Sequence, residues 1–239
     1  MDPAEPKPWG IVGSLGWGVL AFVVSQGVAI GVLIWWAGGL AYLSGVRYGG
    51  PVLALSTLIA NPLLVAILVG VVRLRRCSPA EYLALTPFRA GEFWIGLIAT
   101  FLLGGVIYLI GWLAGQDLVT PFQIESYTTT PRGPWLAALF VAVVIAAPLG
   151  EEVLFRGFLY RGLVRAHGFP YVAVPVIAVI WTVLHIQYDW FGLAQVFCLG
   201  LVFGWLRWCT GSMTLTFALH ALVNFESSIE TVIKVEWLS

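Results

Sequence analysis

Charge is scarce in this sequence. Only 10% of its 239 residues are Asp, Glu, Lys or Arg, 60% are hydrophobic, and the 12 acidic and 12 basic side chains cancel. That composition lies outside the range of soluble globular domains, and the neutral balance gives no electrostatic footprint for nucleic acid or an acidic partner. Cysteine is sparse as well: Cys77, Cys198 and Cys209 are scattered, so they form no disulfide framework or thiolate cluster and read as packing thiols. Short alternating strands are missing, which excludes a membrane barrel. There is no internal repeat, no low-complexity segment, no separate soluble domain and no H-E-x-x-H zinc motif.

What remains is a series of apolar runs of helical length, and they predict an all-α, polytopic transmembrane bundle of about seven spanning helices (six to eight) around an intramembrane cavity. The 27 glycines suit close helix packing in lipid. The charge-free run from Pro8 to Val46 is too long for the core of a signal peptide, so the first helix, 11 to 36, is expected to be retained. A second is expected over 52–72, ending at Arg73, Arg75 and Arg76. Ser78-Pro79-Ala80-Glu81 has the pattern of a capping box and predicts a short interfacial helix through Leu85. A third spanning helix runs from Phe93 to Leu113, and Gly115 to Gly133 reads as a polar loop. The fourth opens at Pro134, the fifth covers 171–188, the sixth 191–208, and the seventh starts near Ser212.

Basic residues cluster by side. Lys7, Arg73, Arg75, Arg76, Arg89, Arg161, Arg165 and Arg207 fall at one set of helix ends, against Arg47, Arg132 and Lys234 at the other. The positive-inside rule puts the first set, and the N-terminus, in the cytoplasm. His167, beside Gly168 and Pro170, reads as a cap on the end of the fourth helix. The uncharged run from Ser212 to Phe225 spans only about 21 Å, so the last helix is expected to emerge early or to line a wet cavity, with Glu226, Glu230 and Lys234 on one face.

One stretch stands apart. Gly150-Glu151-Glu152-Val153-Leu154-Phe155-Arg156-Gly157 sets three charges into an apolar helix, where each costs about 2.5–3.5 kcal/mol at mid-bilayer. Glu152 and Arg156 are four apart and share a helix face, so they can pair, while Glu151 points about 100° away and has no partner on its own helix. Pro148, one turn earlier, is expected to kink the helix and open room beside the glutamates. His185 on the fifth helix and His220 with Asn224 on the seventh add ionisable and polar groups at comparable depth. A carboxylate beside an imidazole in a dry cavity can take a proton from water, and a second His with an Asn amide can stabilise an oxyanion. The combination describes amide hydrolysis.

The same residues resemble the three motifs of the CAAX-protease and bacteriocin-processing family (CPBP, also called Abi) of intramembrane glutamic endopeptidases. The resemblance spans roughly Pro134 to Phe225: Glu151-Glu152-x-x-x-Arg156, then Trp181-x-x-x-His185, then His220-x-x-x-Asn224. It implies an endopeptidase with catalytic Glu151, His185, His220 and Asn224, in which Glu151 and His185 hold the water and His220 and Asn224 form the oxyanion site. Glu152, Arg156 and Trp181 are supporting residues. The family usually has Phe where Trp181 stands, which alters the pocket wall. The resemblance also implies a cytoplasm-facing opening and divides the chain into residues 1–133, three N-terminal spanning helices and their loops, and residues 134–239, the catalytic core helices, within one integrated membrane domain.

No cofactor is expected, zinc on a Glu and two His being the less favoured option. The expected partners are a peptide or protein substrate, membrane-anchored substrates included, and the lipid bilayer, with no nucleic acid. Two alternatives stay open: a non-proteolytic family member acting as an immunity or regulatory membrane partner, and a proton-coupled transporter using Glu151 and His185 as a relay.

Overall fold

A computed structural model describes residues 9–39, 49–167 and 170–238, with the backbone alone at 165–167. Lys7, Arg47 and the side chains of Arg165 and His167, on which sequence expectations rested, lie outside the described residues. The described chain is all-helical, with no strand, and it is a polytopic bundle. We label the helices α1 (Ile11–Trp36), α2 (Gly50–Leu74), α3 (Pro79–Tyr82), α4 (Ala90–Leu113), α5 (Pro121–Thr128), α6 (the consecutive segments from Pro134–Val141 to Tyr160–His167), α7 (Pro170–Val183), α8 (Trp190–Thr210) and α9 (Met213–Trp237). Among the described residues, five helices are long and apolar enough to cross a membrane: α1, α2, α4, α6 and α8. The apolar α7 has only 14 residues. α9 has 25, about 37 Å, and is not among those five.

The two ends of the bundle are pinned by different contacts. At one end Arg75 lies over the Trp9 ring, Arg161 over Tyr82, and the Met213 amide donates to the Ala84 carbonyl. At the other, Trp36 packs against Trp135, the Gly50 amide donates to Thr129 Oγ1, Lys234 pairs with Asp117 and Arg132 with Glu236. Small residues set the close contacts between helices. Ser14, Gly18, Ala21, Ser25 and Ala29 form the buried stripe of α1, and Gly200 and Gly204 of α8 face Ala178 and Val174 of α7, where a Cβ would come within 2.9 and 2.7 Å.

Three expectations about elements change. The helix expected through Leu85 stops at Tyr82, without a side-chain cap from Ser78, because the chain turns inward: Tyr82, Leu83 and Ala84 are buried, and Ala84 takes φ 55°. The loop from Gly115 to Gly133 contains α5, whose Thr120-Pro121-x-Gln123 start makes the reciprocal capping box, with Gln123 N to Thr120 Oγ1 at 3.3 Å and Thr120 N to Gln123 Oε1 at 2.7 Å. The fifth spanning helix, expected to reach Tyr188, ends at Val183, and Leu184 to Tyr188 continue in tight i→i+3 turns before Asp189 caps α8 through the Gly192 amide at 2.8 Å. His185 therefore lies on a turn past the helix end.

Candidate active site

Pro148 has no N–H to give, and α6 answers by widening its ladder. Ala142–Ala146 and Val153–Leu159 are π segments on either side of the glutamates. In the first, the Ala147 amide donates back to Ala142 and so is withdrawn from Val143. The residue five beyond Val143 is Pro148, which cannot replace that donor. The Val143 carbonyl takes its hydrogen bond from the side chain of Asn224 instead, at 2.8 Å. The second π segment carries Arg156, whose carbonyl accepts from Arg207 Nε at 3.0 Å.

Glu152 and Arg156, both 0% exposed, form a buried ion pair with Nη1 and Oε1 2.7 Å apart. Two further contacts lock the guanidinium: it lies 4.3 Å from the Trp181 ring centroid, and Nη2 reaches the Gly200 carbonyl at 3.5 Å. The same Oε1 holds Nδ1 of His220 at 3.0 Å, so Arg156, Glu152 and His220 make one continuous chain across α6 and α9. His220 is wedged edge-on against Trp181, with centroids 5.3 Å apart, and beside Phe203.

Glu151 faces the other way, as the helix geometry requires. Its Oε2 accepts from Trp181 Nε1 at 2.6 Å and lies 3.9 Å from His185 Nε2. The expectation that Glu151 lacks a close partner on its own helix holds, and its partner comes from α7 instead: the Trp181 indole is a donor as well as a wall. His185 Nδ1 is bound to the Trp181 carbonyl at 2.8 Å. A carbonyl can only accept, so Nδ1 carries a proton, and Nε2 is the ring nitrogen turned toward Glu151.

Glu151, His185, His220 and Asn224 all line one cavity of about 870 Å³. Trp181 lines it too, while Glu152 and Arg156 lie behind its wall. Asn61 of α2 was not anticipated. It also lines the cavity, pressed so closely against Gly150 that a Cβ there would come within 2.7 Å of its Cγ. Its only sequence signal is a polar amide in the middle of a spanning helix. Glu226 and Glu230 line the cavity farther along α9, the second of the two expectations for that segment. Among the described residues, no group of three or more His, Cys, Asp or Glu side chains converges as a metal site would require.

The cavity occupies the half of the bundle away from the arginines. Its wall comes from the first four turns of α2, Thr100 to Tyr108 of α4, the turn at 184–188, the first half of α8 and His220 to Glu230 of α9, with Phe22 and Gln26 midway along α1. Two expectations therefore do not fit together. If the arginine end is cytoplasmic, the opening is not, because the cavity and that end lie at opposite sides of Glu151.

Residues 133–225 match the family model described as type II CAAX prenyl endopeptidase Rce1-like, so this part of the chain carries a domain of that CAAX-protease family. The chain has no match among curated proteins or among solved structures. With its apolar helices, the match makes this a multi-pass integral membrane protein, and the family that residues 133–225 match is one of hydrolases.

Proposed function

We propose that the protein is an intramembrane endopeptidase in which Glu151 and His185 activate a water against a peptide carbonyl held in the cavity. One observation carries the reading: an outward-pointing carboxylate and the Nε2 of an imidazole whose Nδ1 is held by a carbonyl face each other at 3.9 Å on the cavity wall. That gap is too long for a direct hydrogen bond and suits a bridging water, which at ~2.8 Å from both atoms would subtend roughly 90°, near its own H–O–H angle. Glu151 takes the water's proton as the oxygen attacks the carbonyl carbon, and returns it to the leaving amine as the C–N bond breaks.

The oxyanion formed in between needs donors. Asn224 gives one amide hydrogen to Val143 and has a second for the cavity. His220 is held through Nδ1 by Glu152, which fixes its ring on the cavity wall, and its Nε2 donates to the oxyanion when that nitrogen carries a proton. Glu152 and Arg156 thus act as the brace that orients His220, and Glu151 acts as the base.

The test is cleavage by the purified full-length chain against a quenched-fluorescent peptide library. Glu151→Gln is expected to abolish turnover while leaving the fold intact, and turnover at the wild-type rate would refute the mechanism. Activity is expected to survive exhaustive chelation; loss on chelation with recovery on adding zinc would favour a metal-bound water instead.

A further inference from the structure

The arginine-rich end of the bundle is sealed. Between it and Glu151 lie Leu68, Phe158, Leu215 and Leu219, each no more than 1% exposed, with the inward turn of Tyr82 and Leu83 packed beneath them. At the opposite end the cavity wall turns polar, with Thr120, Gln123, Gln187 and Glu230 around its mouth. Gly104 and Gly105 of α4 also line this half, with open space where a Cβ would stand. Among the described residues, Arg73, Arg75, Arg76, Arg89, Arg161 and Arg207 mark the sealed end, against Arg132 and Lys234 at the open one.

A bias of this size in short loops fixes orientation, because basic residues are retained on the cytoplasmic side. We infer that the catalytic cavity opens away from the cytoplasm, and that its substrate is an exported peptide or the outward-facing juxtamembrane segment of another membrane protein. The inference rests on the reading of Glu151 and His185 as the catalytic pair. Depth restricts the substrate further. Glu230 lies six residues, about 9 Å, beyond Asn224 along α9, so roughly three extended residues must pass the mouth before the scissile bond reaches the site. A bond flush with a tightly folded domain would not reach.

Topology and catalysis are tested separately. In the full-length chain with Cys77, Cys198 and Cys209 changed to Ser, single cysteines are placed by Glu125→Cys on α5 and Glu81→Cys on α3, both exposed positions. A membrane-impermeant maleimide on intact cells is expected to label the first, and the second only after permeabilisation; the reverse pattern overturns the inference. Should the cysteine-free chain fail to fold, alkaline phosphatase fused to the C-terminus is expected to be active, and an inactive fusion overturns it equally. For the route, Gln187→Cys labelled from outside with a bulky maleimide is expected to stop processing, whereas full labelling with unchanged processing overturns entry by that mouth. Cleavage in detergent, where both faces are accessible, isolates the catalytic reading: a chain that cleaves but labels in reverse loses only the orientation, and one that labels as expected without cleaving loses only the chemistry.

Discussion

Replacing Glu152 with Gln removes the negative partner of a guanidinium that is fully buried and lies between two aromatic rings. Breaking a buried pair from one side costs about 3–5 kcal/mol, because the remaining charge stays desolvated. At about 2–4 °C per kcal/mol for a chain of this length, the melting temperature is expected to drop by roughly 6–20 °C. Glu151→Gln is a different perturbation, although the two residues are neighbours. Its side chain is 26% exposed, and the amide oxygen of Gln can still accept from Trp181, so the expected cost is under about 1 kcal/mol. Its effect falls on turnover, where loss of a general base is worth about 10²–10⁴-fold. The double change Glu152→Leu with Arg156→Met completes the comparison: an apolar replacement of the whole pair is neutral or stabilising by about 1–4 kcal/mol, set against about 1–3 for the orphaned Nδ1 of His220. The double variant should therefore melt above Glu152→Gln alone. The assay is thermal unfolding in one detergent, paired with peptide cleavage. Equal melting temperatures for Glu151→Gln and Glu152→Gln would refute the division into base and brace.

Trp181→Phe keeps an aromatic wall but deletes the donor to Glu151, so steady-state kinetics should show kcat falling about tenfold, the ~1.4 kcal/mol equivalent of one hydrogen bond, with the fold retained. Gly150→Ala gains up to about 1 kcal/mol of helix propensity and loses about 1–3 by overpacking against Asn61, so it should melt lower than wild type, and adding Asn61→Ala should restore the melting temperature. Replacing Gly200 with Ala, against Ala178 at 2.9 Å, should loosen α7 from α8 and lower stability without shifting the peptide preference in a cleavage profile.

The long apolar helices were legible because charge-free runs with terminal tryptophans mark α1 and α4, and a run ending at Arg73 marks α2, to within a few residues. The grouping of the site was legible from spacing: i,i+4 pairs put Glu152 with Arg156 and turned Glu151 away from them. What escaped was set by tertiary contact. Nothing local says that Asn61 will be pressed against Gly150, or that His185 will sit beyond the end of α7 with its ring fixed by the Trp181 carbonyl. The position of the cavity was not legible for a similar reason, since charge bias orients helices but does not say which half of a bundle is hollow. α5 was missed although its Thr120-Pro121-x-Gln123 start carries the same capping logic applied to Ser78. That logic then failed at Ser78, where burial of Tyr82 and Leu83 overrode it.

Asn224 serves two purposes that ordinary mutagenesis would confound. The π segment before Pro148 deprives the Val143 carbonyl of its backbone donor, and Asn224 supplies the replacement. Asn224→Leu therefore leaves a carbonyl unsatisfied inside a membrane helix, at about 1–3 kcal/mol, whatever its role in catalysis. Activity lost in that variant alone says nothing about an oxyanion. The informative change is made on the other helix: Pro148→Ala restores an N–H five residues beyond Val143, or lets the ladder relax to α geometry. In that background Asn224→Leu should cost less stability than in wild type, and any remaining loss of kcat belongs to the amide hydrogen facing the cavity. If the double variant recovers both stability and wild-type kcat, Asn224 is a strut for α6 and the oxyanion donors must be sought elsewhere.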